Sequence, residues 1–138
     1  MGTLIRSGAA FGFDGVICSK KCASPFGEKA LRASMGAAGR IPVVQVENMP
    51  QAVEHLRQIG VFTVAAALYN SRPLEEAKGP FSNGVAVVIG NEGQGLTQDT
   101  IEACDIAVRI PISQQVESLN AAAAGAVLTW HFRKGDYT

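Results

Sequence analysis

Short runs of β-branched residues alternate with helical patterns along nearly the whole chain, and this alternation restricts its fold more than any other feature. The runs predict strands at 15–18, 43–46, 61–66, 85–89 and 106–110. The patterns between them predict helices at 28–35, 50–59 and 97–103, and a last helix near the C-terminus. Strands that alternate with helices are typical of a parallel sheet. We therefore expect an α/β fold, a mostly parallel sheet with helices on both faces.

The length and charge of the chain limit its size and its partners. Its 138 residues fit one compact domain, and a hydrophobic fraction of 47% is enough to fill a core. Lys plus Arg number 12 and Asp plus Glu number 12, so the basic excess typical of nucleic-acid-binding proteins is absent. Any affinity for nucleic acid must come from local patches or from a segment outside these residues. The low charged fraction, 17%, indicates surface that a partner covers.

The cysteines and the apolar runs indicate a protein of the reducing cytoplasm. Cys18, Cys22 and Cys104 are an odd set, and their one close pair has neither a second pair nor a nearby His to complete a zinc site. Reduced thiols are the expected state. No stretch reaches the ~18 apolar residues that a membrane helix requires, and the N-terminus lacks a signal-peptide pattern. We expect a cytoplasmic protein that binds neither a membrane nor a metal.

A glycine-rich stretch follows the most apolar strand. The run Val85–Ile89 has no polar residue, which is typical of a strand buried on both sides. Ligands of open α/β sheets bind beyond the carboxyl ends of the strands, where Gly90–Leu96 begins. Its order G-x-x-G-x-G differs from the dinucleotide-binding pattern, and it lacks the Gly-Lys-Ser/Thr of a phosphate loop. Alone, the stretch fits an ordinary turn equally well.

A second strand end, at Ile110, leads into the last helix. Pro111 stops the strand, and Ser118 and Asn120 either cap the helix or present polar groups to a ligand. Small residues at 121–125 make this helix thin, so it packs either in the core or against a threaded loop or second subunit. Helical spacing predicts one buried face, made of Leu119, Ala122, Ala123, Ala126, Val127 and Trp130.

Together, these segments resemble the SpoU, or TrmH-type, family of tRNA and rRNA 2′-O-methyltransferases within the SPOUT superfamily. The second family motif is similar to Gly90–Leu96, and the third is similar to Ile110–Ile112 followed by Ser118–Asn120. The stretches 32–37 and 41–43 resemble the family's middle region, so the resemblance spans nearly the whole chain. It implies one catalytic domain over residues 1–138, with a deep trefoil knot near its C-terminal end.

The resemblance also implies the reaction and the residues that carry it. The methyl donor is S-adenosylmethionine, the acceptor is a ribose 2′-hydroxyl of RNA rather than DNA, and the protein is a homodimer. The donor is held largely by backbone groups of Gly90, Ile110 and Leu119. The residues implied in catalysis are Arg6 and the supporting polar residues Glu92, Ser118 and Asn120.

The role of Arg6 needs a physical explanation, because a guanidinium is a poor base near neutral pH. Either the site activates it as a base, or it binds a phosphate and the proton leaves through that group or through water. In the family's first motif an Asn precedes the Gly by two positions and the Arg by six. Gly2 and Arg6 fit, and the Asn would lie just before Met1. We expect the chain to begin inside this motif, and its activity and stability to depend on the preceding residues.

Two other functions fit parts of the sequence. One is a nucleotide-binding or small-molecule enzyme on a flavodoxin-like sheet, which the lack of a phosphate loop disfavours. The other is a non-catalytic RNA-binding or dimerisation module of the same fold. Binding of S-adenosylmethionine in preference to NAD distinguishes the family function from the first alternative.

Overall fold

The computed structural model describes residues 2–19, 32, 36, 40–90, 95–116 and 119–133. The chain forms two compact units, residues 1–47 with 122–138 and residues 48–121. The helix expected at 28–35 lies outside the described residues except for Arg32, which is helical. Within the described part of the chain, no helix is long and apolar enough to span a membrane.

Helices and strands alternate, as the sequence predicts. The helices are α1 (Gly2–Ala10), α2 (Met49–Gln58), α3 (Gln98–Ala103) and α4 (Ala121–His131). The strands are β1 (Val16–Ser19), β2 (Val43–Val46), β3 (Phe62–Ala66), β4 (Arg72–Pro73), β5 (Val85–Val88) and β6 (Ile106–Arg109). The five expected strands lie within one residue of the observed ones. Every strand pairing in the described residues is parallel, which confirms the α/β class.

The first unit packs α1 on a two-stranded sheet of β1 and β2. In α1 the buried residues are Gly2, Ile5 and Gly8, spaced three apart along one face. Ile5 is fully buried and packs against Ala9, Val16, Ile41 and Val43. Arg6 is exposed, because this packing places its neighbour Ile5 in the core.

In the last helix, α4, the buried face differs from the predicted one. The buried residues are Gly125, Leu128 and Thr129, whereas Val127 is 39% exposed and Trp130 is 49% exposed. Burial of Thr129 is possible because its hydroxyl donates a hydrogen bond to the Gly125 carbonyl at 2.7 Å. The prediction was wrong because this helix is apolar on nearly all sides, so spacing alone cannot choose a face.

The second unit contains a four-stranded parallel sheet in the order β4-β6-β3-β5. In β3, which has a neighbour on each side, Thr63, Val64 and Ala65 are fully buried. The residues of β5 are only half-buried, since the described sheet ends at this strand. The strand that is buried on both sides is therefore β3 rather than the more apolar 85–89 run.

One connection in this sheet crosses a strand that comes later in the chain. Because β6 lies between β3 and β4, residues 67–71, which join those two strands, pass over β6. The Ala67 amide donates a hydrogen bond to the Val108 carbonyl at 2.9 Å, which fixes the start of the crossing. β4 has only two residues, one of them Pro73, and a 3-10 turn at Leu74–Glu76 follows it; the sequence predicts neither.

The helices α2 and α3 share one hydrophobic cluster with the sheet. Its buried members are Val53 of α2, Ala65 of β3 and Cys104, which follows α3. Each helix begins at a side-chain cap. Asn48 accepts a hydrogen bond from the Gln51 amide at 3.0 Å, and Thr97 accepts one from the Thr100 amide at 3.3 Å.

The Asp105 carboxylate fastens the start of β6 to β3 and α2. One oxygen accepts hydrogen bonds from the Thr63 amide at 2.8 Å and the Thr63 hydroxyl at 3.0 Å. The other accepts a hydrogen bond from Arg57 Nε at 3.0 Å. Burial alone would raise the pKa of Asp105, but the hydrogen bonds from Thr63 and the charge of Arg57 outweigh it and lower this pKa below its ordinary value.

We predict that Asp105→Asn destabilises the chain by about 1–2 kcal/mol at neutral pH, because an amide NH2 group replaces one of the two accepting oxygens. A carboxyl with a lowered folded-state pKa stabilises the protein above its unfolded pKa and loses this effect as the pH falls. The difference between wild type and variant, measured by urea unfolding, should therefore shrink below about pH 4. The exposed Glu76→Gln serves as the control. A difference that does not change with pH would contradict this account.

Candidate functional site

Two loops leave the same edge of the sheet in the second unit. β5 runs into Gly90, and β6 runs into Ile110. Both strands pair with β3, where Ala65 lies beside Val88 on one side and Ala107 on the other. Strands separated by one intervening strand are about 10 Å apart, so the two loops begin about that far apart, on either side of β3. This carboxyl edge is where parallel sheets bind ligands.

The described ends of the glycine loop, Gly90 and Gly95, lie against each other. A Cβ atom at Gly90 would lie 2.6 Å from Gly95 Cα and would also overlap with the Leu96 amide nitrogen. Gly95 has a φ of +67°, which glycine adopts without strain. The two glycines are therefore required for different reasons, space at Gly90 and backbone conformation at Gly95. The predicted catalytic residue Glu92 lies outside the described residues, as do 91, 93 and 94.

The second loop is half-buried at its start and exposed at its end. Ile110 is partly buried, and Leu119 and Asn120 are exposed. Between them the chain turns at Ser113, whose hydroxyl accepts a hydrogen bond from the Gln115 amide at 3.2 Å. The predicted residue Ser118 lies outside the described residues.

The described site residues belong to both units. Gly90 and Ile110 mark the carboxyl edge of the sheet in the second unit, and Leu119 and Asn120 follow in the same unit. Arg6 lies in the first unit, on the exposed side of α1. The sequence identified the residues of the carboxyl edge through the glycines and the strand end.

The surroundings of Cys104 disfavour thiol catalysis by this residue. Burial and, secondarily, the Asp105 charge raise the pKa of the Cys104 thiol to about 11. The thiol is therefore protonated at neutral pH, and it donates a hydrogen bond to the Thr100 carbonyl at 3.4 Å. Cys18 is also buried. Within the part of the chain that the structure describes, no three His, Cys, Asp or Glu side chains are grouped to hold a metal.

Two open hollows surround the amino end of β6. Their volumes are about 490 and 410 Å³, and both are lined by Asp105. The two oxygens of the Asp105 carboxylate accept hydrogen bonds from Thr63 and Arg57. Asp105 therefore has a structural role where it lines the two hollows. Sequence reasoning missed this group because Asp105 lies 42 residues from Thr63 and 48 residues from Arg57 in the chain.

Comparison with known proteins shows extensive similarity to RNA methyltransferases. The sequence profile described as the SpoU rRNA Methylase family matches residues 1–130. The 23S rRNA (guanosine(2553)-2′-O)-methyltransferase RlmP of Bacillus subtilis (strain 168) is 38% identical over 133 residues, which are 96% of this chain and 52% of that protein.

Solved structures give the same result. The AdoMet-bound rRNA methyltransferase from Sinorhizobium meliloti is 29% identical with a TM-score of 0.83, and the match covers 94% of this chain and 49% of that one. The SpoU methyltransferase AviRb from Streptomyces viridochromogenes, in complex with the cofactor AdoMet, is 29% identical with a TM-score of 0.83 and coverages of 94% and 50%. The chain thus spans about half the length of these relatives.

We predict that Gly90→Ala destabilises the second unit by about 2–3 kcal/mol, because the added methyl group meets backbone that cannot move aside cheaply. Gly84 directly precedes β5 at its amino end, and Gly84→Ala is a matched control. Gly84 has a φ of +96°, but a Cβ added there would have no atom within 4 Å, so only backbone strain of about 1 kcal/mol is expected. Urea unfolding measures both variants. Equal losses would show that the loop does not close tightly at Gly90.

Proposed function

The chain belongs to the SpoU rRNA methylase family, and on that premise we propose that it binds S-adenosylmethionine and transfers a methyl group to a ribose 2′-hydroxyl of tRNA or rRNA. The observation that carries the proposal is the closed glycine loop at Gly90, placed across the sheet edge from Ile110. RNA rather than DNA is the substrate, because DNA lacks the 2′-hydroxyl. We also propose a cytoplasmic location.

The residues at the carboxyl edge fit this donor. An adenosine needs apolar surface for its ring and backbone donors and acceptors for its polar edge. Ile110 and Leu119 supply accessible apolar surface, and Gly90, which has no side chain, is only partly buried. We propose these three residues as the donor site. Two AdoMet-bound structures at 29% identity support S-adenosylmethionine as the donor.

The chemistry divides between the donor and the protein. When bound, S-adenosylmethionine supplies an electrophilic methyl group on its sulfonium sulfur. The protein must position the ribose hydroxyl and provide a route for its proton. We propose that Arg6 acts at the acceptor, either as a base activated by the site or as a phosphate anchor that lets the proton leave to the phosphate or water. The proposed supporting residues are Glu92, Ser118 and Asn120.

We propose that the sheet carries the family's deep trefoil knot, with helices on its second face as well. The support is the crossing of residues 67–71 over β6, which places a later strand between two consecutive ones. Ordinary α/β sheets avoid connections that enclose another strand. A crystal structure that traces residues 67–133 continuously tests this proposal.

We also propose that the protein is a homodimer that uses the outer face of α4. Val127 and Trp130 are exposed there, and the Trp130 ring is held in place by Phe11, with ring centroids 5.5 Å apart. The Arg133 guanidinium lies 3.8 Å from the centre of the same ring. A fixed, exposed aromatic residue of this kind is typical of an interface anchor.

Light scattering of the chain at tens of micromolar should give twice the 14.5 kDa monomer mass. Trp130→Glu should give the monomer mass, because it places a charge in an apolar contact. The exposed Ile59→Glu is the control and should stay dimeric. A monomeric wild type would contradict the dimer, and a dimeric Trp130→Glu would exclude the α4 face.

We predict that calorimetry detects binding of S-adenosylmethionine or S-adenosylhomocysteine and little or no binding of NAD. Gly90→Ala should weaken the binding at least tenfold, since it opens the loop. Gly84→Ala should leave it within about twofold of wild type. Absence of heat with either ligand, on a sample whose circular dichroism shows a folded chain, would contradict the proposed function.

We predict that Arg6→Ala lowers the turnover rate about a hundredfold or more while donor affinity stays within about twofold, because a group that acts in the transition state affects the rate and not ground-state binding. The assay is transfer of labelled methyl groups to bulk transfer or ribosomal RNA. It uses both the 138-residue chain and a version with an Asn placed before Met1. Arg40→Ala, another exposed arginine of the first unit, is the control. Retention of most of the rate would exclude Arg6 as the catalytic group, and donor binding without transfer by any version would favour a non-catalytic module.

A further inference from the structure

The turn that crosses β6 is fastened at both ends. At its start, the Ala67 amide donates a hydrogen bond to Val108. At its end, the Ser71 hydroxyl donates to the Ala67 carbonyl at 2.6 Å, and the Arg109 guanidinium donates to the Ser71 carbonyl. Asn70 has a φ of +53°, a conformation that Asn adopts more readily than most residues. β6 therefore holds the turn in a defined shape.

The side chains at the tip of this turn contribute little to the buried core. Tyr69 is 83% exposed and Leu68 is 52% exposed. Ordering a segment costs conformational entropy, which buried side chains normally offset. Here the polar contacts order the turn while its two largest side chains face solvent. An aromatic ring carried by backbone that is already ordered is suited to recognition, because little further backbone ordering is needed when a partner binds.

The surroundings of Tyr69 supply both hydrogen-bond donors and acceptors. Asn70, Ser71 and Arg72, the next three residues of the chain, line the 490 Å³ hollow, which reaches along β6 toward its amino end and also includes Glu102. Arg72 is exposed, and the stretch 67–74 contains no Asp or Glu. An exposed ring, a nearby guanidinium and groups that can pair with a base edge form the combination that proteins use for unpaired nucleotides.

We infer that an unpaired nucleobase of the RNA substrate stacks on Tyr69 while Arg72 contacts an adjacent phosphate. The inference rests on the proposed function and names a further contact of the same substrate. The turn starts at the end of β3, between the strands that lead to Gly90 and Ile110, and Arg72 follows it on the far side of β6, beside the hollow. An RNA strand that spans Tyr69 and Arg72 would therefore extend from the carboxyl edge along β6.

Other occupants fit this surface less well. The apolar part consists of Leu68 and Tyr69, far less than the roughly 1,200 Å² that a stable protein interface buries. The adenine of the methyl donor would need an enclosed site, since such ligands bury about 70–90% of their surface, and Tyr69 stands in the open. Stacking of a single base on an exposed ring requires neither a large apolar interface nor an enclosed site.

The test measures binding of a fluorescein-labelled, mixed-sequence single-stranded RNA 12-mer to the 138-residue chain by anisotropy, with S-adenosylhomocysteine present. Tyr69→Ala should weaken binding at least about fivefold, and Tyr69→Phe should keep it within about twofold, because the ring and not the hydroxyl stacks. Arg72→Ala should lower the slope of log affinity against log salt by about one. Ile59→Ala, an exposed apolar residue before β3, is the matched control and should have no effect.

Calorimetry with S-adenosylhomocysteine on the same variants separates this inference from the proposed function. Unchanged donor binding and unchanged RNA binding in Tyr69→Ala would overturn the inference and leave the function intact. Weaker donor binding in Tyr69→Ala would assign the ring to the donor site and would overturn the inference as well. A mass of Tyr69→Ala that differs from the wild-type mass in light scattering would assign the ring to a protein contact. That outcome would also overturn the inference. Absence of RNA binding by the wild type would also overturn the inference, whereas absence of donor binding would contradict the function itself.

Discussion

The insertion of β6 between β3 and β4 is the constraint on which the rest of the second unit depends. It forces residues 67–71 to cross over β6, and it places Ile110 at the same edge as Gly90. The Asp105 carboxylate secures this arrangement at the amino end of β6 through Thr63 and Arg57. Hydrogen bonds from a later strand also shape the crossing turn. One topological feature thus positions the proposed donor loops and the proposed nucleobase contact.

The distinctive feature of the carboxyl edge is the lack of a side chain at Gly90 rather than a reactive side chain. Gly90 lies so close to Gly95 that no side chain fits, and the apolar, partly buried Ile110 lies across β3 from it. A site of this kind suits a donor that already carries its activated methyl group and needs mainly to be held. The group that needs activation is the acceptor hydroxyl, because it must lose a proton. Arg6 is the residue proposed to act on it. A balanced net charge is compatible with RNA binding when stacking and a few local cations provide the contacts.

Much of the fold follows from local sequence, and the parts that do not have specific physical causes. The expected strands match within a residue because β-branched runs and turn residues act locally. The buried face of α4 was predicted wrongly because its alanines offer no contrast between faces, and β3 rather than 85–89 is fully buried because strand order is a long-range property. The bond between Arg57 and Asp105 joins residues 48 positions apart, which no local pattern reveals. The glycine loop was identified by its spacing, although the reason for Gly90 appears only when the approach of Gly95 is seen.

The central claim is that the carboxyl edge of the second unit binds the methyl donor, and amide chemical shifts test it most directly. On titration of the ¹⁵N-labelled chain with S-adenosylhomocysteine, we expect the largest shifts at the amides of Gly90, Gly95 and Ile110. The opposite edge, represented by Gly60 and Asp105, should be unaffected because it lies at the amino ends of the strands. Shifts centred on Gly60 and Asp105, or none at the glycine loop under saturating ligand, would contradict the account.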